Sequence, residues 1–135
     1  MKRVVSYGIR QLVLALYCAG LAVTGAAQSD RKPELLESDK EVEMALGAAP
    51  AHLRAGAAVY VLQRGGYVKA REGSNGFTCL VEREGEKGTA PICFDREGSE
   101  TTLLMVLRKM QFIEQGKSEK DVERLIDKEY RSGKL

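Results

Sequence analysis

Apolar and polar positions change period twice along the chain, and each change predicts a different kind of element. Val42, Ala45, Leu46 and Ala49 recur at i, i+3, i+4 and i+7, the spacing of one face of an α-helix. Ser38-Asp39-Lys40-Glu41 ahead of them fits a capping box, with the Ser38 hydroxyl accepting from the Glu41 amide while the Glu41 carboxylate reaches back. Pro50 closes this helix, because the residue before a proline avoids helical dihedrals. Ala51 to Arg54 reads as a further short turn before Gly56.

From Ala57 the period falls to two. Ala57–Leu62 is a compact run of strand formers, and Arg64-Gly65-Gly66 supplies a turn. Tyr67–Arg71 then alternates, with Val68 and Ala70 on the face opposite Tyr67, Lys69 and Arg71. Gly73-Ser74-Asn75-Gly76 signals a second turn, its glycines suited to positive φ. Phe77–Arg83 and Pro91–Asp95 make a third and a fourth strand around the loop 84–88. Short loops between successive strands predict an antiparallel meander.

Beyond Ser99 the helical period returns. Leu103, Val106, Leu107, Met110 and Ile113 share one face, and Gly116 ends the helix. Ser118 caps a last helix over Asp121, with Val122, Leu125 and Ile126 as its stripe. Lys128, Arg131 and Lys134 sit near its C-terminal end, where positive charge suits the dipole. With no repeat and no second domain, the predicted architecture is one α+β domain over residues 38–135. It has an N-terminal helix, a four-stranded antiparallel meander with a disulfide-linked hairpin, and two C-terminal helices.

The residues ahead of this domain read as targeting. Met1–Ala27 carries Lys2, Arg3 and Arg10 and no acidic residue, then an apolar run from Leu12 to Val23, then Thr24-Gly25-Ala26-Ala27. A basic start, an apolar middle and a small-residue exit are the parts of a secretory signal peptide, cleaved here after Ala26 or Ala27. An uncleaved anchor is the rival, but Leu12–Ala27 is shorter than the ~20 residues a bilayer needs. Lipidation at Cys18 would require a small residue before it, and Tyr17 stands there. Residues 28–37, polar and containing Pro33, read as a mobile leader.

Cleavage changes the charge. The chain has 135 residues and a formal charge of +2, with 21 basic residues against 19 acidic. Without Lys2, Arg3 and Arg10 the domain becomes near-neutral and slightly acidic. Nucleic acid is therefore not an expected partner, since phosphate binding rests on excess basic charge. Nor is stable membrane insertion expected after cleavage. A cell-envelope component or a small polar ligand is the expected partner class.

Of the three cysteines, Cys18 leaves with the signal, and Cys79 and Cys93 remain on the third and fourth strands. Their numbers are symmetric about Glu86, the centre of the intervening loop, so a regular hairpin sets them directly opposite. In an oxidising compartment such a pair forms a structural disulfide. The competing chemistry is a Cys79 nucleophile using the single histidine, His52, which follows Pro50-Ala51 in an apparent surface turn. Two cysteines and one histidine at scattered spacing make a poor zinc set, and no cofactor is expected. Glu82, Glu84, Glu86, Asp95 and Glu97 cluster around the fourth-strand hairpin, where an acidic pair could hydrolyse a glycoside; interleaved Arg83, Lys87 and Arg96 equally suit a solvated surface.

A candidate binding face lies on the second strand and its turn. Tyr67, Lys69 and Arg71 project together, with Tyr60 adjacent and Asn75 and Thr78 near the turn. Aromatic and cationic groups on a rigid strand can hold a carboxylate, a sugar or a partner chain. A wet sheet face explains the same alternation.

The stretch Gly66–Val81 (GYVKAREGSNGFTCLV), with Pro91-Ile92-Cys93 and Asp95–Thr102 after it, resembles a group of uncharacterised secreted bacterial proteins over roughly Val42–Gly133. The resemblance implies export, to the periplasm or the extracellular space, and a shared fold. It brings no activity, ligand or catalytic residue, and many such proteins run longer than Leu135. The expected function is a non-catalytic extracytoplasmic binding or structural module stabilised by Cys79–Cys93. The alternative is a small secreted hydrolase using Cys79 or an acidic pair.

Overall fold

The computed structural model describes residues 32–83 and 88–135. The signal segment Met1–Ala27 with Cys18, the first leader residues, and Glu84 and Glu86 lie outside the described residues. In chain order the elements are α1 (Ser38–Gly47), α2 (Ala51–Arg54), β1 (Ala58–Gln63), β2 (Gly66–Arg71), β3 (Thr78–Arg83), β4 (Thr89–Phe94), α3 (Arg96–Glu100), α4 (Thr102–Glu114) and α5 (Glu119–Arg131). The architecture is α+β, a four-stranded sheet with helices on both faces.

The sheet is not a meander. Its order is β2-β1-β3-β4, and β1 runs parallel to β3 through Ala58↔Thr78 and Val59↔Cys79. Two antiparallel hairpins are thus joined along a parallel seam, which corrects the expected all-antiparallel sheet. The connection 72–77 is the cause. The Gly56 carbonyl accepts from the Ser74 and Asn75 amides at 2.7 and 3.2 Å, and Asn75 Nδ2 donates to the Leu53 carbonyl at 2.8 Å. These bonds carry the chain past the start of β1, so β3 departs from β1's other edge and in the same direction. Gly73 makes the passage fit, because a Cβ there would stand 2.4 Å from the Ala58 nitrogen. Gly76 takes the positive φ that the turn requires, at 82°.

Both faces of the two central strands are covered. On one face Ala45 and Ala49 meet Val59, Val61, Cys79 and Val81; on the other, Leu103 and Met110 of α4 meet Leu62, Leu80 and Phe94. Burial on both sides explains why β1 and the first part of β3 are continuously apolar instead of alternating. Complete burial of a side chain such as Leu80 contributes roughly 1.5–3 kcal/mol. The helices divide the sheet unequally, α1 lying over β1, β3 and β4 on one face while α4 on the other approaches β2 most closely. Hence the side of β2 that carries Val68 and Ala70 is exposed, and Tyr67 is buried beneath α4. The inside and outside expected for β2 are reversed at these positions.

The expected capping box does not form either. Glu37 occupies the cap position of α1 with no side-chain cap bond. Glu41 instead turns into the core, fully buried, and accepts from the Leu62 amide at 3.0 Å. Parallel pairing of β1 with β3 stops after two residue pairs. Beyond that point Glu41 satisfies the Leu62 N–H, while the Val81 carbonyl accepts from the Tyr67 hydroxyl and from Arg83 Nη1, both at 2.6 Å. Arg83 Nη2 lies 3.0 Å from Glu41 Oε1, and Arg83 Nε donates to the Glu34 carbonyl at 3.3 Å. Side chains from α1, β2 and β3 thus replace backbone partners where the ladder ends. Burial pushes the Tyr67 phenol well above its usual pKa.

The C-terminal helices follow their sequence signals, with one addition. Gly116 ends α4 at φ 75°, and the Lys117 amide bonds back to the Phe112 carbonyl at 3.1 Å. Ser118 caps α5 by accepting from the Asp121 amide. The addition is α3, capped by Asp95 and separated from α4 by the non-helical Thr101. α5 is held to α4 by a two-pronged pair, Arg108 Nε and Nη2 to Glu129 at 2.8 and 2.6 Å, with the guanidinium 4.5 Å over the Phe112 ring.

That pair should make the α4–α5 contact acid-sensitive. The hydrogen bonds from Arg108 lower the Glu129 carboxyl from its ordinary 4.5 to about 2. Because the folded value is depressed, the stabilisation is complete above about pH 4.5 and is lost as pH falls toward 2. Methyl resonances of Val122 and Ile126 should shift through that window, and Glu129→Gln should remove the Glu129-dependent part of the transition. An unchanged titration in the variant would show that the pair does not govern docking.

Candidate functional site

The regular ladder of β3 and β4 sets Cys79 opposite Cys93, and their sulfurs are bonded at 2.03 Å. Every pair in this hairpin, from Thr78↔Phe94 to Arg83↔Thr89, is symmetric about Glu86. Neither thiol is therefore available as a nucleophile or a metal ligand. Cys79 is wholly buried, whereas His52 is exposed on α2. Among the described residues no group of three His, Cys, Asp or Glu side chains could hold a metal ion.

The six residues of the candidate face do not stay together. Tyr67 belongs to the core beneath α4, and Thr78 is 8% exposed. Arg71 donates to the Arg54 carbonyl at 3.1 Å and to the Ala55 carbonyl, closing the end of α2. Asn75 is a latch, donating to Leu53 while its Oδ1 accepts from the Phe77 amide at 3.0 Å. Lys69 remains near the surface, 5.8 Å from the centroid of the half-buried Tyr60 ring and 3.3 Å from Glu72.

Beside Lys69 opens a polar cleft of about 220 Å³. One wall is Lys69 and Glu72 from β2 and the residue after it; the other is Arg96, Ser99 and Glu100 of α3. Ala58 of β1, Gly73, Gly76 and Phe77 of the β2–β3 connection and Thr78 complete the lining. The Arg96 guanidinium lies against Gly76, within 3.4 Å of where a Cβ would stand. Arg96 and Glu100 are spaced i,i+4, which commonly allows a helix ion pair, yet no ion pair within 4.0 Å joins them. Lys69, by contrast, is paired with Glu72.

The helix that supplies the second wall was missing from the sequence expectation. Its signal was local: Asp95 three residues before Gly98, whose amide it caps at 2.8 Å. Asp95 Oδ1 is thereby engaged as a helix cap. Glu82 is half-buried on β3 and Glu97 is exposed in the first turn of α3, and neither lines the cleft.

No protein family, curated protein or solved structure matches the chain. Among the described residues no helix is long and apolar enough to cross a membrane.

Proposed function

We propose that the chain is exported by cleavage near Ala27 and works in the periplasm or outside the cell as a non-catalytic binding or structural module. The observation that carries this reading is the Cys79–Cys93 bond, which suits an oxidising compartment and leaves neither sulfur as a thiolate. The same bond argues against a Cys79 nucleophile in the hydrolase alternative. A cell-envelope component or a small polar ligand is the partner class.

The test is made on protein isolated from its native compartment. N-terminal sequencing is expected to begin at Ala27 or Gln28. Alkylation without reductant is expected to add no mass at Cys79 or Cys93, and alkylation after reduction to label both. A retained Met1 or two free thiols would overturn the proposal.

A further inference from the structure

We propose that the cleft between β2 and α3 binds a small zwitterion, an α-amino acid or a molecule carrying the same carboxylate and ammonium pair. The proposal deepens the reading of this chain as a binding module and rests on it. Its basis is the distribution of charge. Lys69 and Arg96 face the same cleft as Glu72 and Glu100, two cations and two anions. A simple anion entering there would meet two carboxylates, and a simple cation would meet an ammonium and a guanidinium. A ligand bearing both signs can satisfy both.

The two walls differ in what they leave open. Lys69 and Glu72 are joined at 3.3 Å, whereas Arg96 and Glu100 have no ion-pair partner among the described residues. The Arg96 guanidinium lies against Gly76, where a side chain would crowd it. It can offer paired N–H donors to a carboxylate. Glu100, one helical turn away, can accept from an ammonium, and the Ser99 hydroxyl lies between them in sequence on the same wall. The cleft, about 220 Å³ and open to solvent, is below the usual range for drug-sized ligands. Since both charges are exposed, solvent screening keeps the affinity modest.

The experiment titrates the ¹⁵N-labelled, disulfide-intact protein with the standard amino acids and follows the amides of Gly73, Gly76 and Ser99. At least one amino acid is expected to give saturable shifts there. Its N-acetyl and amide derivatives, each lacking one charge, are expected to bind tenfold or more weakly. Arg96→Gln should bind the parent and the amide derivative equally, and Glu100→Gln the parent and the N-acetyl derivative equally. The ligand should be recovered chemically unchanged. Absence of saturation with every amino acid, or an N-acetyl derivative binding the unaltered protein as tightly as its parent, would overturn the proposal. Because the derivatives are compared on unaltered protein, that outcome does not depend on a variant folding. Failure here would leave the thiol and N-terminal results untouched, so the two proposals fail separately.

Discussion

Glu41→Ala is expected to destabilise the folded protein by about 3–5 kcal/mol, the usual cost of leaving one charge of a buried pair behind. Glu41 is fully buried and the Arg83 side chain is 5% exposed, so water reaches neither in place of the lost partner. The Leu62 amide would lose its acceptor at the same time. Glu41 Oε2 and Arg83 Nη2 have no aligned hydrogen bond, so the pair is imperfectly satisfied already. Replacing both residues with apolar ones of similar volume, Glu41→Leu with Arg83→Met, should therefore recover most of the loss. Urea denaturation of the single and double variants measures both numbers. A single-variant cost below about 1 kcal/mol would show that the buried charges are not held as described.

The second large effect belongs to the disulfide. Reduction of the protein should lower its stability by ~3 kcal/mol, the chain-entropy value for a closed loop of this size. For a domain of roughly this length that corresponds to a fall in Tm on the order of 10–20 °C. Comparing oxidised and reduced forms of the same chain keeps both sulfurs in the core and isolates the covalent bond. The double variant Cys79→Ala/Cys93→Ala should fall further, because Cys79 is wholly buried and alanine leaves a void. Equal melting of the oxidised and reduced forms would assign the stability to packing alone.

Both effects arise in one part of the molecule, yet they were not equally legible. The Cys79–Cys93 pairing follows from counting along a regular hairpin, since a pair symmetric about the loop centre must be cross-strand neighbours. Glu41 was legible as an acid three residues into a helix, where the local rule assigns it to a capping box. The actual role depends on Arg83, far along the chain, and on β1 and β3 ceasing to pair after Val59↔Cys79. A local rule cannot weigh a partner brought in by the fold. Likewise Tyr67 and Lys69 alternate with Val68 and Ala70 as a half-buried strand should, and the period alone does not say which set faces in. The choice fell to α4, which covers the Tyr67 side, while α1 leaves Val68 uncovered.

The cleft shows the same division. Lys69 and Thr78 were visible as candidates on a strand and near its turn, but their opposite wall is α3, assembled from residues beyond β4. Arg71 and Asn75 looked like ligand-binding groups because their polarity was legible and their carbonyl partners, Arg54, Ala55 and Leu53, were not.

Helix and strand periods, the caps at Ser118 and Gly116, the turns near Gly65 and Gly76 and the Cys79–Cys93 register were all determined by the sequence itself, because each rests on residues adjacent along the chain or across one short hairpin. Which edge of β1 receives β3, which face of β2 is covered, where Glu41 points and which charges share a cleft were decided only in three dimensions. Those choices depend on hydrogen bonds at Gly56 and on the reach of α1 and α4, interactions whose partners become neighbours only once the chain has folded.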